Sequence, residues 1–388
     1  MLAFLDYKKL YILLLLFIII LYGETIYYGY IWDDFDLVIL KFQDIIDLTL
    51  NSYLIRPVMF LSYFLSNFFY SSSVLDHIVN IVLFALATKL VFDFTIKTHN
   101  KLAAFFIMIV WISLPWLSHT IIWISQRNDT LMIIFSMLAI KYDGNKQTLK
   151  SCVFLFLSVF SKITSFLLPL FLIYKNRKNK KKVLIYSFIQ TIFLSIGLIS
   201  FLREGTKKPH LAELSFFESV ILKFFHVFEG VLTQVIPFPY FFNQVHFIIY
   251  AVILIVVLVV LKYNHIITSQ KKDLAILFLI FSIPLAINSE LRIAIASSYF
   301  LISLVFLSVK LNNLSKIFLL VFLAHNIWVT TVSKTNYFSG AYTLTNYVHS
   351  HPENMFYNNS FYKEKRQFLI KTKEEVWDNW MGKIKTKE

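Results

Sequence analysis

The chain has 388 residues, of which 57% are hydrophobic and only 15% are charged, and its mean hydropathy is +0.66. This is more apolar surface than a soluble core can bury, so the composition excludes a soluble globular domain and predicts a polytopic membrane protein. Lysines in short loops between apolar segments account for the net charge of +14, which therefore does not indicate a nucleic-acid-binding protein.

Apolar segments recur along the whole chain and predict an all-α protein of about eleven transmembrane helices, each needing about 20 residues. They lie near residues 10–30, 75–95, 102–122, 129–142, 149–162, 164–174, 183–202, 246–262, 274–289, 296–310 and 316–333. Segments 129–142 and 164–174 are too short to cross alone, so we expect them to tilt, to extend into flanking residues or to form a re-entrant pair. The chain then divides into a transmembrane domain, residues 1–333, and a short outer tail, residues 334–388.

Lysine and arginine collect in alternate loops, most densely between Lys175 and Lys182. The positive-inside rule predicts that these loops are cytoplasmic. The other loops and the tail would then face outward, into the periplasm if the protein is a multi-pass component of a bacterial inner (plasma) membrane. The first apolar segment has no small-residue cleavage site after it, so we expect it to stay as a helix rather than to be removed as a signal peptide.

The first outer loop begins with Trp32, Asp33 and Asp34. Carboxylates at a membrane edge are costly and usually functional, although a solvated helix-capping pair would have the same sequence. Further acids between residues 35 and 54 have spacings that predict a short interfacial helix.

Arg56 and Pro57 follow this segment. Proline suits the first position of a helix, and an arginine beside that start can fork onto a phosphate, or can equally extend to lipid headgroups. Taken alone, His77 and His119 more often make helix-end hydrogen bonds, and Lys162 more often extends to the interface. Trp111, Trp116 and Trp123 are expected to be interface anchors.

Two further constellations bring acids and arginines to the same outer face. His119, Arg127 and Asp129 share one short loop, and Glu290 lies close to Arg292 between two late helices. Carboxylates and guanidinium groups on one membrane face are what an anionic, lipid-linked substrate would require.

The order of these motifs resembles the GT-C superfamily of membrane glycosyltransferases, and within it the protein O-mannosyltransferase-like branch that includes the transmembrane and tetratricopeptide-repeat proteins. The resemblance covers most of residues 24–300. The matching residues are Trp32-Asp33-Asp34, Arg56-Pro57, His77 with Asn80, Pro115, His119, Trp123-Ile124, Arg127, Asp129, Ser161-Lys162, Leu167-Leu168-Pro169 and, more loosely, Glu290 to Tyr299. The chain departs from the family pattern at Ile163, where an acid commonly follows the lysine, and at Leu291, which separates Glu290 from Arg292. It also has no repeat domain after the last predicted helix.

The resemblance implies an inverting transfer of a sugar from a polyprenyl-phosphate carrier to a protein or cell-surface glycan acceptor. It implies that Asp33 or Asp34 is the catalytic base, and we favour Asp33 because an acid next to an aromatic belt residue is partly desolvated. The remaining implied roles are binding of the donor phosphate by Arg56, Arg127 and Arg292, and support of the acceptor and the site by His77, His119, Asp129, Lys162 and Glu290. Some members use a divalent metal such as Mg²⁺ or Mn²⁺, for which Asp34 and Asp129 would be the ligands.

Two other functions use similar residues. A transporter or flippase of lipid-linked saccharides would have charged residues along a path through the bilayer core, whereas the helix centres here are nearly free of charge. An O-antigen polymerase or ligase usually has a large arginine-rich loop, whereas segment 203–245 contains only Arg203. Both alternatives therefore rank below the glycosyltransferase.

Overall fold

The computed structural model describes residues 6–27, 56–69, 73–97, 101–113 and 120–205, together with positions 323–324, 327–328 and 330–331. Every regular element in these residues is helical. The predicted all-α class is therefore confirmed for the described part of the chain.

The described helices overlap the apolar segments, although Lys101–Ser113 covers only part of segment 102–122 and Pro57–Phe69 lies in none of the predicted spans. Their bounds are α1 Tyr7–Tyr22, continued by the 3-10 helix Gly23–Tyr27, α2 Pro57–Phe69, α3 Ser73–Ile96, α4 Lys101–Ser113, α5 Arg127–Gly144, α6 Thr148–Ser161, α7 Leu168–Lys175, preceded by the 3-10 helix Ile163–Leu167, and α8 Lys180–Gly205. Local chemistry fixes several of these starts. Asp6 caps α1 by accepting a 2.8 Å hydrogen bond from the backbone N–H of Lys9, and Pro57 begins α2 as predicted.

The two segments that are too short by themselves extend into flanking residues. Segment 129–142 becomes the 18-residue helix α5, and a 3-10 turn lengthens segment 164–174. Lys162, just after α6, contacts Asp129 in the first turn of α5, and Lys175 at the end of α7 lies 3.6 Å from Asp143 in the last turn of α5. Both α6 and the segment formed by the 3-10 helix and α7 therefore run alongside α5 from one end to the other. Whether these helices cross the membrane or form a re-entrant pair stays a prediction.

Among the described residues, two helices are long and apolar enough to cross a membrane. They are Tyr7–Tyr27, with 21 residues and a mean hydropathy of 2.2, and Val74–Ile96, with 23 residues and a mean hydropathy of 1.8. Apolar side chains on their surfaces are exposed, for example Ile78, Val82 and Leu86, which recur every fourth residue along α3. Such a stripe suits contact with lipid. The total of about eleven spans and the orientation stay predictions, because predicted helices 246–262, 274–289 and 296–310 lie outside the described residues.

Close helix packing forms the core. Trp111 of α4 is fully buried and stacks on Phe84 of α3 with ring centroids 5.2 Å apart. The expectation that Trp111 and Trp123 are interface anchors is wrong, because both side chains are buried in the protein. The aromatic-belt rule identifies ring types that suit an interface and does not distinguish lipid-facing from inward-facing positions. Trp116 lies outside the described residues.

The polar groups of the bundle concentrate at its two ends. Residues 77–88 of α3, 130–140 of α5 and 151–161 of α6 contain no Asp, Glu, Lys or Arg. At mid-bundle, α5 and α6 are joined by small hydroxyl side chains, as in the 2.8 Å contact between Ser136 and Ser158. Asp129 in the first turn of α5 and Asp143 in its last turn are about 21 Å apart along the helix axis, at 1.5 Å per residue. We name the two polar regions the Asp129 end and the Asp143 end.

Candidate functional site

The Asp129 end is built around Arg127, whose side chain is completely buried. Its guanidinium donates five hydrogen bonds: Nε to Asn80 Oδ1 at 2.7 Å, Nη1 to the Ser62 carbonyl oxygen at 3.3 Å and Ser66 Oγ at 3.1 Å, and Nη2 to Asp76 Oδ1 at 2.7 Å and the Asp76 carbonyl oxygen at 3.2 Å. An arginine side chain has five N–H donors. Protein acceptors therefore match the whole hydrogen-bonding capacity of Arg127.

Neighbouring side chains complete this network. Ser66 of α2 donates a 2.8 Å hydrogen bond to Asp76 Oδ1, and the ring of Tyr63 lies 4.5 Å from the Arg127 guanidinium carbon. The Tyr63 hydroxyl in turn donates to the carbonyl oxygen of Ile124. Arg127 and Asp76 form a buried ion pair. Such a pair is tolerated when hydrogen bonds satisfy its remaining atoms, and the contacts above meet that condition.

Three of these partners were not predicted as site residues. Tyr63 and Ser66 give no signal in an aromatic, hydroxyl-rich stretch of sequence. Asp76 does give one, because an acid in the first turn of an apolar helix is costly unless it is paired. Its partner lies 51 residues further along the chain, however, and only helix packing identifies it.

A second buried ion pair lies beside the first. Lys162 Nζ is 2.5 Å from Asp129 Oδ1, and the two side chains are 0% and 1% exposed. The backbone of Lys162 is extended, with φ −153° and ψ 125°, so α6 ends there and the lysine lies beside the first turn of α5. Arg56, only 8% exposed, is close enough to act electrostatically on both members of this pair.

Several polar atoms in the first turn of α5 are buried and have no hydrogen-bond partner among the described residues. They are Oδ2 of Asp129, both side-chain polar atoms of Asn128 and the hydroxyl of Thr130. Such atoms are exceptions in folded proteins, where buried polar groups are nearly always bonded to protein or to ordered water. They could therefore bind a ligand hydroxyl or a water molecule.

The described site residues predicted from sequence come together at this one end. Arg56, His77, Arg127, Asp129 and Lys162 all lie there, and all are buried. The remaining predicted residues, Asp33, Asp34, His119, Glu290 and Arg292, lie outside the described residues. Arg127 is the residue whose geometry fits its expected role least, because a donor phosphate would have to displace protein acceptors from its guanidinium.

The metal site implied for Asp34 and Asp129 stays a prediction, because Asp34 lies outside the described residues. They contain no group of three or more His, Cys, Asp or Glu side chains that could hold an ion. Asp129 also contacts the ammonium of Lys162, and a divalent cation would be repelled there. We therefore derive no catalytic step through a metal.

Comparison with known proteins adds no assignment. No protein-family model matches the chain, and no curated protein or solved structure matches it. Any functional argument therefore depends on the residues and contacts of this chain and on the motifs quoted above.

Proposed function

We propose that the chain is an integral membrane glycosyltransferase of the GT-C type, with about eleven spans. It would move a sugar, with inversion, from a polyprenyl-phosphate carrier to a protein or cell-surface glycan acceptor at the outer face of the membrane. The observation that carries the proposal is the buried cluster at the Asp129 end, to which α2, α3, α5 and α6 each contribute. A transporter would need such groups near mid-bundle, where α3, α5 and α6 have no charged residues.

The proposed reaction is a single displacement at the anomeric carbon. Asp33 or Asp34 removes the proton of the acceptor hydroxyl while its oxygen attacks the sugar from the face opposite the phosphate. The bond from the anomeric carbon to the phosphate oxygen breaks, and its electron pair leaves with the lipid phosphate. Positive charge close to that oxygen lowers the barrier.

The site geometry suggests how the buried cations divide this work. Arg56 and Lys162 lie beside Asp129, so we assign the leaving phosphate to Arg56, with Lys162 adding positive charge. We assign Arg127 a positioning role, because its guanidinium ties α2, α3 and α5 together. Oδ2 of Asp129 and the amide of Asn128 are assigned to hydroxyls of the acceptor or the sugar.

Incubation of the purified protein with a panel of radiolabelled polyprenyl-phosphate sugars and membrane extract tests the proposal. Loss of a general base typically lowers the rate about 10²- to 10⁴-fold, so Asp33→Asn should abolish detectable transfer while donor binding persists. Asp36→Asn is the matched control and should be mild. Near-normal transfer by both Asp33→Asn and Asp34→Asn would reject this assignment and favour the transporter.

A second variant examines the Asp129 end itself. Asp129→Asn preserves the size of the side chain but removes the charge, and should reduce transfer by about 10²-fold, within the range for a lost electrostatic contact. Asp93→Asn is the control, because Asp93 lies at the opposite end of α3 and pairs with Lys89. Equal activity of the two variants would show that the Asp129 end takes no part in the reaction.

A further inference from the structure

A cavity of about 790 Å³ lies at the Asp143 end, between the α5–α6 turn and the start of α8. Its polar wall includes Lys146, Lys175, Lys181 and Lys182, and its apolar wall includes Leu149 and Ile185. We name it the Lys146 cavity. It is remote from the proposed active site, because the whole of α5 separates it from Asp129.

Charge makes this cavity suitable for an anion. Lys182 donates a 2.6 Å hydrogen bond to Asp143 Oδ1, and Lys175 lies 3.6 Å from Oδ2. Asp143 is the one acid of the described residues that lines the cavity, against four lysines. Lys146 and Lys181 are exposed and belong to no ion pair among the described residues. The wall therefore carries excess positive charge at its rim.

The surface next to the cavity is apolar. Along α6, Leu149 is 80% exposed and Val153 is 50% exposed, and along α8 Leu184 is 73% and Phe188 is 68% exposed. In each pair the residues are four apart and so share one face of the helix. A basic cavity thus continues into two apolar stripes that run toward mid-bundle, which matches a ligand with an anionic head and two hydrocarbon chains.

The backbone of the rim is strained. Lys146 has a φ of +61°, in the left-handed region that glycine and asparagine adopt more readily than lysine. A non-glycine residue there is retained against a conformational cost, and such positions cluster at ligand sites. Here the residue that bears the cost also supplies an exposed ammonium group to the cavity.

We propose that the Lys146 cavity binds the phosphate headgroup of an anionic phospholipid. Lys146 and Lys181 contact the phosphate, and the acyl chains lie along the two apolar stripes. Basic pockets between helices on the cytoplasmic side hold anionic headgroups in this manner, and the predicted orientation places the cavity in that leaflet. The site is independent of sugar transfer.

Native mass spectrometry of the full chain, extracted from vesicles of equal parts phosphatidylglycerol and phosphatidylcholine, tests the proposal. The protein should retain phosphatidylglycerol selectively. Each lysine near a membrane surface contributes about fivefold in affinity, so Lys146→Gln with Lys181→Gln should weaken retention about 25-fold. The control is Lys8→Gln with Lys97→Gln, which removes the same charge from the start of α1 and from the residue after α3, away from the cavity. This control should leave retention unchanged.

Three outcomes would overturn the proposal. Equal losses in the two double variants would mean that the basic face attracts lipid without a site. Equal retention of phosphatidylcholine would exclude recognition of an anionic head. Displacement of the lipid by glycerol 3-phosphate or inorganic phosphate at matched concentration would mean that the cavity binds a soluble anion. If Lys146→Gln lowers the melting temperature of lipid-free protein, Lys146→Gly replaces it, since glycine suits the positive φ.

Discussion

Asp129 and Asp143 lie at opposite ends of α5, and both are almost completely buried, at 0% and 3% exposure. Their surroundings differ. Asp143 accepts hydrogen bonds from Lys182 at 2.6 Å, from Tyr186 at 3.0 Å and from Asn176 on both oxygens. Asp129 accepts one from Lys162, and within the described part of the chain its Oδ2 accepts none.

This difference separates structural carboxylates from functional candidates. A buried carboxylate with both oxygens bonded is fully satisfied and stabilises the helices that supply its donors. One with an unsatisfied oxygen is an exception that calls for an explanation, such as a ligand or an ordered water molecule. Burial and a lysine partner do not distinguish the two aspartates. The number of hydrogen-bond donors does distinguish them, and it supports the role proposed above for the Asp129 end.

The largest expected effect comes from removing one lysine at each end. Lys162→Met leaves Asp129 as a buried charge without its hydrogen-bonded partner and should lower the free energy of unfolding by about 3–5 kcal/mol. Lys182→Met leaves Asp143 with Tyr186, Asn176 and Lys175, so its cost should be about 1–2 kcal/mol. Denaturation of the purified protein in detergent, followed by circular dichroism, compares the two.

A double variant verifies the cause. Adding Asp129→Asn to Lys162→Met removes the uncompensated charge, so most of the lost stability should return. If Lys162→Met and Lys182→Met cost the same, donor number does not determine how firmly each carboxylate is held, and the comparison fails.

Within the described residues, the sequence predicted most of the helices because apolar segments between lysine-rich loops define them directly, but it did not include Pro57–Phe69 among the spans. It also predicted that Arg56, Arg127, Asp129 and Lys162 belong to one region, because acids and arginines recur on one side of the predicted topology. It could not predict their pairing. Arg127 was expected to meet a phosphate, whereas helix packing brings it to Asp76, which in the sequence resembles an ordinary helix-start acid.

The contribution of Asp143 to stability should depend on pH. Asp143 lies just outside apolar segment 129–142. Burial alone would raise its pKa, but hydrogen bonds from Lys182, Asn176 and Tyr186 and the charge of Lys175 hold the pKa below its usual range. A carboxylate with a lowered pKa stabilises the fold at pH values above its unfolded-state pKa of about 3.9. This stabilisation is lost as the pH falls through the pKa of the folded state.

Asp143→Asn should therefore be less stable than wild type at pH 7, and the difference should shrink as pH falls below about 4. Melting temperatures in detergent at pH 7 and pH 3 measure this. A difference that stays constant over that range would mean that the charge of Asp143 does not stabilise the Asp143 end.

The smallest expected effect concerns the backbone that closes the Asp143 end. The N–H of Lys146 donates a 3.0 Å hydrogen bond to the carbonyl oxygen of Asp143, and the turn that makes this bond places Lys146 at φ +61°. The left-handed conformation costs a non-glycine residue about 1–2 kcal/mol, and glycine returns part of that gain through its greater freedom in the unfolded chain. Lys146→Gly should therefore raise the free energy of unfolding of lipid-free protein by about 0.5–1 kcal/mol. Lys146→Ala removes the same charge but retains the Cβ atom, so it should change stability little. An equal gain in stability for Lys146→Gly and Lys146→Ala would mean that repulsion between the lysines around the cavity causes the effect. Charge, and not the conformation of the turn, would then lower the stability of the Asp143 end.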